Sequence, residues 1–215
     1  MDAIISGVRR FHKKVLPQYR ELLRGLAEAQ HPVALWTGCS DSRVDPQLIT
    51  QSKPGTLFVA RNPGNIVPPH ERPSGMGAAI EYAVEVLGVQ HVIVCGHSGC
   101  GAMQAVLDPP SVASLPHVRQ LIGHAWQPHA ARATPSLGEA IERNVVLQLR
   151  RVSAFPQVAR RLAAGQISLH GWTYDVGTGE LKARDGETFF DLLQVYAPVS
   201  PENARASGTS GRGYR

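Results

Sequence analysis

Two short segments carry residues that could do chemistry together: "CSDSRV", residues 39–44, and "HSGC", residues 97–100. Cys39, His97 and Cys100 form a thiolate–imidazole–thiolate set, the donor types that zinc takes in tetrahedral geometry. His97 and Cys100 stand in an H-x-x-C spacing, and Gly96, Gly99 and Gly101 let the backbone turn tightly around them. Cys39 would bring the third ligand from a distant part of the chain. Neither segment offers a fourth soft ligand, so one position stays open for water, as in a catalytic zinc site. Asp41 and Arg43 add a second device. The carboxylate could bind the metal itself, or accept a proton or hydrogen bond from water in the open position. The guanidinium could hold it ionised through a bidentate pair. Taken singly, each cysteine would be an ordinary small core residue. Cys95, inside an apolar run, is read that way, and the other histidines show no ligand spacing with a cysteine.

The elements that must position these residues follow from periodicity. "VALW", "TLFVA" (56–60) and "HVIVC" (91–95) are short continuous apolar runs, as expected of strands buried on both faces. Between the last two, Met76, Ile80, Ala83, Val84 and Leu87 fall on one helical face, with Ser74 as N-cap and Gly88 as the stop. A helix is expected at about 100–108 and further helix over 137–164, broken near Pro156. "ISLHGWTYDV" alternates as a strand, and "TGELKA" reads as a turn and its partner strand. Residues 3–29 carry Ile4, Val8, Phe11 and Val15 at helical spacing, and Pro17 is expected to divide this segment into two helices. Strands separated by helices imply an α/β fold with a mostly parallel central sheet flanked by helices. In such sheets sites form beyond the carboxyl ends of strands, where both "CSDSR" and "GHSGCG" fall.

Composition narrows the class. With 215 residues, 43% hydrophobic and 18% charged, the chain is globular rather than disordered. Three cysteines in a chain of this length are no disulfide framework. No apolar run could span a bilayer, and the first residues lack a signal-peptide core, so a cytoplasmic protein without a membrane partner is expected. The net charge of +5 is spread out and lacks interleaved aromatics, which argues against nucleic acid and suits a small anionic ligand. Three regions are expected: an N-terminal helical arm (1–30), a zinc-containing α/β catalytic domain (31–197) and a flexible basic tail (198–215).

The segments "CSDSRVDP", "LFVARNPGN", "GAAIEYAVEVLGV", "VIVCGHSGCGAM" and "LHGWTYDVGTGEL" occur in the order in which the β-class carbonic anhydrases carry their counterparts. The chain resembles bacterial and cyanobacterial members most, including those housed in carboxysomes. The resemblance implies reversible hydration of CO2 to bicarbonate and a proton through a zinc-bound hydroxide, with one Zn2+ per subunit. It implies Cys39, His97 and Cys100 as ligands, Asp41 and Arg43 as the catalytic dyad, and Gly101 as a backbone donor to the substrate. Gln30, Phe58 and Tyr82 match positions lining the substrate pocket, with Gln30 reaching across a dimer interface. N-terminal helices packing on a partner subunit make a homodimer or larger homo-oligomer the expected unit. Trp36, Arg61 and Tyr174 match a non-catalytic bicarbonate site in the allosteric branch, where the counterpart of Asp41 moves onto the metal. Pro63 departs from the family's usual Ala or Val. The alternatives are a CS2 or COS hydrolase of the same family, and a carboxysome-associated assembly component with structural zinc and a protein partner there.

Overall fold

The computed structural model describes residues 1–128 and 134–196; His129 and the expected tail lie outside the described residues. The chain begins with α1 (Asp2–Arg10), a widened π turn (Phe11–Val15) and α2 (Leu16–Glu28). β1 (Ala34–Cys39), α3 (Pro46–Thr50) and β2 (Leu57–Asn62) follow. Next come α4 (Gly75–Glu81) with a second π turn (Tyr82–Val86), β3 (His91–His97), α5 (Gly101–Leu107) and α6 (Pro116–Ile122). The chain then forms α7 (Leu137–Ser153), α8 (Pro156–Ala163), β4 (Ser168–Tyr174), β5 (Leu181–Asp185), β6 (Thr188–Asp191) and the short α9 (Leu192–Val195).

The described strands form one sheet in the order β2-β1-β3-β4-β5-β6. β1 to β4 are parallel, and β5 and β6 add an antiparallel edge. This is the mostly parallel α/β sheet expected from the sequence. From β1 the chain steps outward to β2, then crosses back to lay β3 on the other side of β1. The direction of winding therefore reverses between β1 and β3, and their carboxyl ends open a crevice there. Cys39 ends β1 and His97 ends β3.

One face of the sheet is deeply covered. Leu35, Val92 and Val94 pack against Ile80, Ala83 and Val84 from the α4 segment, Val145, Leu149 and Val152 from α7, and Val158 from α8. The α4 segment starts and stops as its sequence dictates: Ser74 Oγ accepts from Gly77 N at 3.0 Å, and Gly88 follows in the left-handed region at φ +67°. α7 carries a capping box, Ser136 with Glu139. The opposite face is more open, with Trp36, Ile93 and Cys95 buried and Val59, Trp172 and Tyr174 half-buried. β6 and α9 were not expected from the sequence. Their residues are few and mostly exposed, so they carry little periodic signal.

Pro17 does not divide the N-terminal helix. Phe11–Val15 widens into a π turn, Leu16 N donates to Phe11 O, and the helix continues as α2. The extra residue in the turn makes room for the proline ring, which in a regular helix collides with the carbonyl four residues back. α1 and α2 bury none of their residues fully, and Ile4, Val8, Phe11 and Val15 stay exposed along the arm.

Candidate metal centre

β1 delivers Cys39 to the crevice, and the loop after it folds back on itself. Asp41 Oδ1 accepts from Arg43 N at 3.0 Å and from Arg43 Nε at 2.9 Å, while Oδ2 accepts from Arg43 Nη2 at 2.7 Å. The pair is bidentate, the strongest geometry available to a guanidinium and a carboxylate. These bonds, the side-chain one first, hold the Asp41 carboxyl well below the usual carboxylate range. Arg43 Nη2 also donates to Gly99 O at 3.3 Å, tying this loop to the one after β3. From β2, Arg61 donates to Cys39 O and Asp41 O, both at 2.7 Å, and so fixes the backbone of the loop.

β3 delivers His97. The turn to Cys100 passes through Gly99 at φ +64°, a conformation that L side chains rarely adopt. Cys100 precedes the first residue of α5, so the strand end and the helix start face the same space. His97 Nδ1 lies 2.9 Å from Ser98 O, to which it donates when protonated there. That tautomer leaves a lone pair on Nε2. Nε2 is buried and has no hydrogen-bond partner among the described residues, and Asp41 Oδ2 lies 3.9 Å from it. Cys39 Sγ, His97 and Cys100 Sγ offer ligand atoms that all lie within 4.8 Å of one another.

The two thiols face each other within this group. That contact with Cys100 lowers the proton affinity of Cys39, and the resulting thiolate, with burial, raises that of Cys100. Cys100 can therefore lose its proton beside Cys39 only when a cation comes between the two sulfurs. Gly64 N also donates to Cys39 Sγ at 3.3 Å. An unpartnered imidazole nitrogen and two facing thiols fit zinc in donor type and spacing, and three protein ligands leave its fourth position open. Cys95 behaves as expected of a core residue: buried, with its thiol pushed up by burial.

The structure brings Cys39, Asp41, Arg43, His97 and Cys100 together. Gly101, at the first position of α5, carries an N–H without an acceptor inside the helix. Phe58 and Tyr82 stack on each other with centroids 5.9 Å apart. Phe58, however, lies opposite Leu35, four residues before the Cys39–Asn62 level, about 13 Å along the strand. Phe58, and Tyr82 against it, therefore sit away from the Cys39 level of the sheet. Gln30 is exposed beyond the end of α2. Trp36 and Tyr174 share the hydrophobic cluster on the open sheet face, and Trp36 Nε1 is buried without a partner among the described residues. Arg61 is engaged with the loop backbone. Sequence reasoning did not anticipate that role, nor the donation from Gly64; both depend on register between strands far apart in the chain.

Residues 34–181 match the family model described as "Carbonic anhydrase". A carbonic anhydrase from Pseudomonas aeruginosa is 45% identical over 197 residues, covering 86% of this chain and 88% of that protein. One from Synechocystis is 41% identical over 220 residues, covering 95% of this chain and 77% of that protein. Among solved structures, the β-carbonic anhydrase CcaA superposes with a TM-score of 0.82 at 39% identity, covering 89% of this chain and 91% of that one. A tetrameric β-carbonic anhydrase structure from Sordaria macrospora gives a TM-score of 0.69 at 27% identity, covering 86% and 96%. With the family match spanning most of the sheet and both ligand-bearing segments, the chain belongs to the β-carbonic anhydrase family.

Proposed function

We propose that the protein hydrates CO2 reversibly to bicarbonate and a proton, with one zinc per subunit held by Cys39, His97 and Cys100. The observation that carries this reading is the buried, unpartnered Nε2 of His97 grouped with two thiols beside an ionised carboxylate. Zinc, when bound, supplies a Lewis acid that acidifies water in its open position, an effect whose type case is itself a carbonic anhydrase, of the three-histidine kind.

The chain's own residues do the rest. Asp41 Oδ2 accepts a hydrogen bond from the attacking water and so aims a lone pair at the carbon of CO2. Arg43 keeps that carboxylate ionised, so that Asp41 remains an acceptor and does not itself take up a proton. Gly101 N–H, at the start of α5, donates to a substrate oxygen. Gln30, Phe58 and Tyr82 complete the pocket from a second copy of the chain, a reading supported by the place of Phe58 and Tyr82 away from the Cys39 level. The exposed apolar stripe of α1 and the tetrameric relative support a homo-oligomer. Cytoplasmic placement, free or within a carboxysome, accords with the cyanobacterial relatives. No helix among the described residues is long and apolar enough to cross a membrane.

One observation favours regulation as a second reading: the unpartnered Trp36 Nε1, in one cluster with Tyr174 and beside the strand that carries Arg61. Bicarbonate bound there would act on the Asp41 loop, whose backbone Arg61 holds. Stopped-flow CO2 hydration from roughly pH 6.5 to 9, with and without added bicarbonate, tests both readings. Turnover that rises with pH supports the enzyme, and inhibition by bicarbonate that Trp36→Phe relieves supports regulation. Turnover of COS or CS2 with none of CO2 would replace the assigned substrate.

A further inference from the structure

Two amide side chains on α7, Asn144 and Gln148, are buried in the core and ionise at no pH. Neither belongs to the crevice, yet every polar atom of both is used. Asn144 Nδ2 donates to Gly64 O at 3.1 Å, and its Oδ1 accepts from Trp126 N at 3.0 Å and from Gln148 Nε2 at 2.8 Å. Gln148 Oε1 accepts from Val67 N at 2.9 Å, and Nε2 also donates to His124 O at 3.3 Å. Burying two amides is unfavourable unless each bond is made, so the network fixes both orientations uniquely. What it grips is the loop from Asn62 to Val67. Asn62 closes the same loop from within, accepting from Ile66 N at 2.7 Å and donating to Ile66 O at 2.6 Å.

Gly64 is the hinge between this network and the metal centre. Its carbonyl is held by Asn144, and its N–H donates to Cys39 Sγ. It sits at φ +83°, and a Cβ there would meet Ala102 Cβ at 2.9 Å. Position 64 therefore admits only glycine, and Asn144 holds the peptide that follows it. A hydrogen bond to a thiolate removes electron density from sulfur, and partners of this kind are what orient a ligand and tune the metal it holds.

We infer that Asn144 is a positioning residue for the zinc thiolate: by holding the carbonyl of Gly64 it aims the Gly64 N–H at Cys39 and sets how much charge that sulfur gives the metal. The inference rests on the zinc reading of Cys39, His97 and Cys100, and deepens it. Asn144 touches neither substrate nor metal and acts only through Gly64.

The test uses full-length Asn144→Ala with two readouts besides activity: zinc affinity by chelator competition, and the near-ultraviolet thiolate-to-cobalt band after replacing zinc with Co2+. The variant should bind zinc about tenfold more weakly. Its thiolate band should move to longer wavelength, because a sulfur without its hydrogen bond gives up electrons more easily. Arg151→Met is the control. It removes a donor to Val67 O in the same loop without touching Gly64, so it should lower stability and leave the band in place. If Asn144→Ala fails to fold, Asn144→Ser is read in the same way. An unshifted band and unchanged zinc affinity in a folded Asn144 variant would overturn the inference and leave Asn144 a loop-packing residue. A wild-type protein that shows no thiolate band would instead overturn the zinc reading itself.

Discussion

At the scale of single residues, Asp41 and Cys39 have separable tasks although they lie two positions apart. Cys39 offers a ligand atom; Asp41 is bound to Arg43 through both oxygens, and its Oδ2 lies 3.9 Å from His97 Nε2. Asp41→Asn should therefore keep its zinc and lose most of its turnover, on the order of a hundredfold. Metal content measured alongside the rate checks this, and a full rate would defeat the role assigned to the carboxylate. Cys39→Ser should lose the metal, and full zinc occupancy in that variant would contradict the ligand set. This level of the site was the most legible in the sequence. Donor types, the H-x-x-C spacing and the carboxylate–guanidinium pair are local features, and local features can be read off a string. Arg61 was not legible in the same way. Its side chain reaches back to Cys39 O and Asp41 O from the neighbouring strand, a contact fixed by the Gly38–Arg61 register, which no spacing within either segment shows.

At the scale of elements, the parallel core followed from three apolar runs, and the site followed from where those runs end. The reversal of winding between β1 and β3 is what places Cys39 beside His97. The misreading was at Pro17, where a π turn absorbs the ring and the helix runs on. Periodicity reports which face is apolar; it does not report whether a turn has gained a residue. A second unforeseen feature is a polar chain on the open sheet face. His91 Nδ1 faces His170 Nε2 at 3.1 Å, and His170 Nδ1 lies 2.7 Å from Tyr196 Oη, just beyond α9. Burial first, and His91 second, push the His170 imidazole down to about 4. Its folded value thus lies below the unfolded one of about 6.5, and the unfolded chain binds more protons between the two. The neutral ring's contribution to stability should be complete above about pH 6.5 and be lost as the pH falls toward 4. Urea midpoints at pH 7 and pH 5 check this: His170→Phe should flatten the difference, and an unchanged difference would remove His170 as its source. The capping box of α7 offers a contrasting case. Ser136→Ala should cost about 1 kcal/mol in a denaturant melt and leave zinc affinity unchanged.

At the scale of the whole molecule, the described chain looks incomplete in a specific way. The arm of α1, the π turn and α2 exposes Ile4, Val8, Phe11 and Val15, while Phe58 and Tyr82 lie away from the crevice they match by resemblance. The second copy proposed above would account for both features at once, and tetrameric relatives exist. Replacing Val8 and Phe11 together by Ser should lower the assembled mass in light scattering and reduce turnover with it. A variant that falls apart into fully active single chains would contradict the shared pocket. This scale was the least legible from residues alone, because an exposed apolar stripe states that something covers it without stating what. The central claim remains the joining of metal and reaction in one site. It is tested most directly by adding zinc stepwise to metal-free protein while following CO2 hydration in stopped flow. The rate should rise in proportion to the metal added and level off at one zinc per chain. A chain that fills with zinc and shows no hydration above the uncatalysed rate would contradict the account.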